Sequence, residues 1–146
     1  MSEMVRKENR TEALFDIYDG RVWKSFTDDD GVLFFTKEFA DTHIRLMLNM
    51  DWFQPFVNSQ YSVSMIYAIF CNLPRNERFK SYNILTLAVI PSLKEPSQHE
   101  INNYLYPIVN QLNRLWNDYF RKTNEHNNGR FVCGAIIGCS SNISAS

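Results

Sequence analysis

The sequence predicts an α/β fold on a mixed sheet: a three-strand antiparallel meander, a long crossover helix and a fourth, parallel strand. Three observations predict it. Apolar segments between residues 43 and 90 have the period of strands and are separated by short connectors. Residues 96–120 change to the three-to-four spacing of an amphipathic helix. Another apolar run, residues 131–139, follows that helix.

The composition is that of one globular domain. The chain has 146 residues, of which 45% are hydrophobic and 21% charged, enough to bury a core. Residues 1–12 are polar and predict a flexible N-terminus, and residues 13–146 form one partial domain. The net charge of -1 does not predict the broad basic surface of an independent nucleic-acid binder. Any DNA contact must therefore come from local patches or from parts outside this sequence.

The N-terminus and the cysteines indicate the cellular compartment of the protein. The charged N-terminus lacks the apolar centre of a secretory signal. No window reaches the roughly 18 apolar residues of a membrane span, so we expect no membrane partner. Cys71, Cys133 and Cys139 are odd in number and lie in apolar runs, which predicts buried, reduced thiols. We therefore expect a nuclear or cytoplasmic protein that is not secreted.

The segment before the main strands is the least regular. A Tyr-Asp-Gly turn at 18–20 joins either two short strands or a short helix to a strand. The acidic run Asp28–Asp30 is interpreted as a solvated turn rather than a metal site. Val32–Thr36 is predicted to be a short apolar strand.

The meander follows. In the first strand, His43–Asp51, the alternating residues 44, 46, 48 and 50 are apolar, and Asp51 ends the strand. Gln60–Asn72 becomes continuously apolar, as in a strand buried on both faces. The polar connector Leu73–Asn83 leads to the third strand, Ile84–Ile90, which Pro91 stops.

The helix and the last strand have their own signals. Ser97 and Glu100 have the spacing of a capping box. Pro107 either kinks the helix or opens its longer second part. Phe131–Cys139 is the fourth strand, and its small residues, among them Gly134 and Gly138, predict a closely packed neighbour.

This element order is the opening of a ribonuclease-H-like domain, here truncated. A helical crossover lets the fourth strand pair in parallel beside the first. In that architecture each of these two strands delivers an acidic residue to a shared metal site. The spacing alone favours the simpler interpretation of Asp51 as a polar residue that closes a strand.

Several stretches in a fixed order carry a family resemblance: DWFQPF, YSVSMIYAIFCNLPRNERFK, NILTLAVIPSLKEP and INNYLYPIVNQLNRLW. Over residues 14–146 the chain resembles the transposases of CACTA (En/Spm-like) cut-and-paste DNA elements of the fungal type. The resemblance implies a ribonuclease-H-like catalytic core with three acidic residues, Mg²⁺ or Mn²⁺ as cofactor, and DNA at the transposon ends as partner.

The resemblance also assigns site residues. It makes Asp51 the first catalytic acid and a metal ligand. The second acid of the family lies in a Cys-Asp-apolar-Pro-Ala-Ser motif, and the matching stretch SSNISAS has Asn142 in its place. The third acid lies farther downstream in the family. Because Mg²⁺ prefers charged oxygen ligands, we expect no stable metal binding and no strand cleavage by this chain alone.

Three functions remain open at this point: an inactive transposase fragment, a non-enzymatic protein that binds DNA or full-length transposase, and a relic without a selected role. An uncovered sheet face predicts marginal stability or self-association. Trp52, Phe53 and Phe56 are read as core residues rather than a stacking platform for bases. The basic residues Arg75, Arg78 and Lys80 are read as a solvated loop rather than phosphate contacts.

Overall fold

The computed structural model describes residues 15–58, 61–93 and 96–141. The chain divides into two compact units, Met1–Phe35 and Thr36–Ser146. No helix among the described residues is long and apolar enough to cross a membrane.

The first unit contains a 3-10 turn, Ile17–Asp19, and a short helix α1, Arg21–Ser25. The predicted strand Val32–Thr36 is wrong, since only one isolated bridge, Thr27 with Leu33, forms there. Asp28 explains this, because its Oδ1 accepts the backbone N–H of Val32 at 2.8 Å and closes a turn instead. Aromatic rings pack in its place, with Phe26 stacked on Phe35 at 5.3 Å between centroids.

The described residues of the second unit form a five-stranded sheet, two α-helices and a 3-10 turn, Ser81–Asn83. Its elements are β1 His43–Phe53, β2 Ser62–Phe70, α2 Arg75–Arg78, β3 Ile84–Ser92, α3 Gln98–Trp116, β4 Tyr119–Arg121 and β5 Arg130–Ser141.

The sheet order is β3-β2-β1-β5-β4. The strand β1 pairs antiparallel with β2, and β2 pairs antiparallel with β3. After the crossover through α3, β5 pairs in parallel with β1. These pairings confirm the predicted meander, crossover helix and parallel strand. The three-residue β4, antiparallel to the start of β5, was not predicted.

The strands β1, β3 and β5 each end later than predicted, β5 at Ser141 instead of Cys139, whereas β2 is shorter than predicted. β1 continues to Phe53, so Asp51 lies inside the strand and does not end it. β3 likewise continues through Pro91 to Ser92. Because β3 is an edge strand, the missing N–H of Pro91 does not interrupt an inner ladder.

The core lies between α3 and the sheet. Ile66, Ile90 and Ile108 form its buried centre, with Leu48 and Met50 packed against it. The apolar face predicted for β1 is therefore the face that α3 covers. The capping box is confirmed, and α3 runs continuously through Pro107.

The cysteines confirm the prediction in part. Cys71, Cys133 and Cys139 are all free thiols. Cys71 and Cys133 are buried, as predicted, but Cys139 is exposed near the end of β5.

Candidate functional site

Asp51 lies on β1, an inner strand between β2 and β5. Its Cα partner in β2 is Met65, and its side chain is half-buried. Side chains alternate along a strand, and Met50 faces the α3 core. The carboxylate of Asp51 therefore lies on the sheet face opposite α3.

The parallel ladder brings the ends of β1 and β5 to the same edge of the sheet. Its last described pair is Met50 with Ser141. Asp51 directly follows Met50 in the sequence, and Asn142 directly follows Ser141. Asn142, the predicted position of the second acid, lies outside the described residues.

The donors around Asp51 decide which metal chemistry the described site allows. Asn49 lies two residues before Asp51, so its side chain is on the same face of β1. Ser140 is the β5 partner of Asn49. The Asn49 amide already donates to the Met47 carbonyl at 3.1 Å. These neighbours are neutral, whereas two divalent ions about 3.5–4 Å apart need several carboxylates. Within residues 15–58, 61–93 and 96–141, no group of three or more His, Cys, Asp or Glu could hold a metal. The donor set therefore does not fit a two-metal centre.

The aromatic residues after Asp51 differ from the core prediction. Phe53 is 41% exposed and Phe56 is 62% exposed, so the prediction is wrong for both. Trp52 is half-buried, and its Nε1 is shielded from solvent without a hydrogen-bond acceptor among the described residues. Exposed rings therefore flank the candidate acid.

The basic connector residues have structural contacts. Arg78 is 5% exposed, and its Nε donates to the Leu73 carbonyl at 3.2 Å, which ties the connector together. Arg78 is therefore not the solvated residue that was expected. Lys80 donates to Glu77 and remains at the surface.

A basic pocket was missed by the sequence reasoning. It lies at the other end of the sheet, near the start of β1 and β5, and Arg114, Arg121 and Arg130 line it. Each arginine comes from a different element, so no run of basic residues marks the pocket in the sequence. A usable signal was the excess of basic over acidic residues between 114 and 130, four against two.

Comparison with known proteins identifies the family. The chain matches the transposase family tnp2 over residues 12–144, a span that includes both Asp51 and Asn142. No curated protein and no solved structure gave a match. The match extends over most of the sequence, and the chain therefore belongs to the transposase family tnp2.

Proposed function

We propose that the chain derives from the catalytic core of a cut-and-paste DNA transposase of the CACTA (En/Spm-like) type and does not cleave DNA by itself. One observation carries the proposal: in a member of a transposase family, Asp51 lies on an inner strand, directly after the last described pair of a parallel ladder. The strand order β3-β2-β1-β5 supports a ribonuclease-H-like core, in which the neighbouring parallel strands carry the first two acids.

In this proposal, Asp51 has the position of the first acid and Asn142 that of the second. A metal pair, when bound in relatives that keep their acids, activates the attacking oxygen and stabilises the leaving oxygen. An amide at Asn142 is neutral, so this chain has one negative charge fewer to hold Mg²⁺ or Mn²⁺. The half-buried Asp51 is then a single carboxylate near the carboxyl end of β1, without a second acid to share a metal ion.

A nicking assay tests the inactivity. Purified protein with Mn²⁺ and supercoiled plasmid should release no nicked product above a buffer control. Cleavage that the Asp51→Asn variant abolishes would contradict the inactivity while supporting the role of Asp51.

Metal binding tests the site assignment without any need for activity. Mn²⁺ is paramagnetic and broadens the NMR signals of nearby nuclei. We expect little broadening around Asp51 in the unmodified protein and a local loss of the Met50–Trp52 amide signals in Asn142→Asp. The double variant Asp51→Asn, Asn142→Asp should lose this effect. If Asn142→Asp leaves these signals sharp, the two positions do not share a metal site. We expect Asn142→Asp alone to remain inactive in cleavage.

A second candidate function is a non-enzymatic protein that binds DNA, pairs with full-length transposase or associates with itself. The edge strand β3 favours it, because none of the residues Ile84–Ser92 is charged and Val89 is 53% exposed. Either function places the protein in the nucleus or cytoplasm. A protein with neither nuclease activity nor DNA binding would instead fit a relic without a selected role.

A further inference from the structure

The basic pocket has a volume of about 390 Å³. It forms where the end of α3 meets the hairpin of β4 and β5. Its lining contains no carboxylate, and its polar residues are Gln111, Tyr119, Thr123 and the arginines Arg114, Arg121 and Arg130.

Two of the arginines are held close together by the backbone. Arg121 and Arg130 are direct partners in the antiparallel register of β4 and β5. Like charges directly opposite each other in such a pair destabilise it. Among the described residues, neither arginine forms an ion pair, and no carboxylate lines the pocket beside them. The β4–β5 hairpin therefore keeps two positive charges close together, although their repulsion destabilises it.

The third arginine, Arg114, and Arg121 both contact the aromatic ring of Tyr119. The guanidinium carbon of Arg114 lies 5.3 Å from the Tyr119 ring centroid, and that of Arg121 lies 4.8 Å from it. Such cation–π contacts hold both guanidinium groups in place without neutralising them. The Gln111 Oε1 accepts from Arg114 Nη1 at 3.5 Å, a contact to a neutral group. The positive charge of the pocket thus remains available to an anion.

We propose that this pocket binds phosphate groups of a DNA backbone. The planar guanidinium fork matches two phosphate oxygens at once, and arginine is the preferred side chain for that geometry. The Thr123 hydroxyl lines the same pocket and supplies a neutral donor. DNA as the source of the phosphate rests on the proposed function, since family membership alone does not name the anion.

The pocket is a site separate from the candidate acid. Ile44 lines the pocket, and Asp51 lies seven residues farther along β1, about 23 Å away at the rise of a strand. Ile44 lies on the α3 face of β1 and Asp51 on the opposite face, so a phosphate group in the pocket does not contact Asp51. This local patch also reconciles DNA contact with a net charge of -1.

Salt dependence of DNA binding tests the pocket. Affinity for a fluorescent duplex is measured by anisotropy at several salt concentrations, without divalent ions. Each phosphate contact contributes about 0.9 to the slope of log K against log salt, so Arg121→Gln should reduce the slope by about 0.9. The double variant Arg121→Gln, Arg130→Gln should reduce it by about 1.8.

Lys122→Gln is the matched control. Lys122 is exposed, adjoins Arg121 and is absent from the pocket lining, and the exchange removes the same charge. We expect its slope to remain that of the unmodified protein. Equal slopes for Arg121→Gln and Lys122→Gln would overturn the pocket as the contact. Arg121→Gln removes both the repulsion from Arg130 and the cation–π contact with Tyr119, so circular dichroism spectra of both variants are compared with that of the unmodified protein to exclude unfolding as the cause of a changed slope.

A second arm distinguishes DNA from free phosphate. Inorganic phosphate is titrated into the protein, and the arginine Nε–H signals are followed by NMR. DNA binding with an arginine-dependent slope supports the proposal. A response of these signals to inorganic phosphate without any binding of DNA overturns it. Both arms omit divalent ions and leave Asp51 intact, so their outcome is independent of whether the chain cleaves DNA.

Discussion

Gly134 of β5 lies directly beneath Leu115 of α3. A Cβ added to Gly134 would stand 2.4 Å from Leu115 Cδ2 and 2.8 Å from its Cγ, separations that carbon atoms cannot hold. The absence of a side chain at Gly134 therefore lets the helix approach the strand that pairs in parallel with β1. The close packing predicted from the small residues of this strand is confirmed at this position.

Gly134→Ala should destabilise the second unit. The new methyl group forces Leu115 out of its position, and such overpacking costs about 1–3 kcal/mol. Urea unfolding followed by circular dichroism measures the loss. Gly138→Ala is the control, because its nearest atom, Met47 Cε, would lie at an ordinary 3.9 Å. Equal losses in the two variants would show that crowding by Leu115 is not the cause.

Removing the N-cap of α3 should weaken the helix that covers the sheet. Ser97 Oγ accepts the Glu100 N–H at 3.3 Å, and Glu100 Oε2 accepts the Ser97 N–H at 2.7 Å. Ser97→Ala should lower the free energy of unfolding by about 1 kcal/mol. Ser97→Thr keeps the hydroxyl that accepts the Glu100 N–H and donates to Glu100 Oε2 at 2.8 Å, and should remain close to the unmodified protein. If Ser97→Thr unfolds as easily as Ser97→Ala, capping does not explain the loss.

The hydrogen bond between Glu77 and Lys80 should shift the pKa values of both side chains in a titration. The hydrogen bond from Lys80 lowers the pKa of the Glu77 carboxyl below its ordinary 4.5, with a smaller effect from the Tyr82 hydroxyl. The same bond raises the pKa of Lys80 above 10.5. In NMR titrations, Lys80→Met should move the pKa of Glu77 up toward 4.5, and Tyr82→Phe should move it less. A Glu77 pKa that does not change in Lys80→Met would contradict this cause.

The sign of the pH effect follows from these shifts. The lowered pKa of Glu77 contributes stability that is present above pH 4.5 and is lost as the pH falls through the lower folded-state pKa. The raised pKa of Lys80 contributes stability that is present below pH 10.5 and is lost as the pH rises through the higher folded-state pKa. The contribution of the pair is therefore constant between these two values. Both groups are at the surface, so added salt should weaken the effect.

The open edge of the sheet should promote self-association. β3 is one of the two edge strands of the described sheet. Its Leu85 is 44% exposed and its Val89 53% exposed, and it has no charge to block pairing with another copy. Sedimentation velocity should show a coefficient that increases with concentration, and Val89→Lys should abolish the increase. Val109→Lys is the control on the surface of α3, where the valine is 46% exposed. A monomer at every concentration would contradict this prediction.

The main elements could be predicted because their causes are local. The alternation of apolar residues on β1 marks the face that packs on α3, with Met50 against the core. The Ser97 and Glu100 pair marks the start of α3 within a few residues. Each signal depends on neighbours close in the sequence, and the short connectors leave few topologies for three consecutive strands.

The errors occur where a side-chain contact or the pairing with another strand decides the conformation. Val32–Thr36 has the composition of a strand, but the side chain of Asp28 captures the Val32 N–H in a turn. β4 has three residues and forms through pairing with the start of β5, so its own sequence carries almost no period. Asp51 was expected at the end of β1, yet Ser64 and Val63 of β2 extend the ladder beyond it.

The sequence by itself determined the order of strands and helix, the covered face of β1 and the family resemblance that assigns Asp51 and Asn142. Tertiary structure decided which distant residues meet. It placed Met50 beside Ser141, so that the two strands end at one edge, and it gathered Arg114, Arg121 and Arg130 around one pocket. The physical reason is that periodicity and capping act between near neighbours, whereas strand pairing and the packing of α3 join residues that the chain keeps far apart.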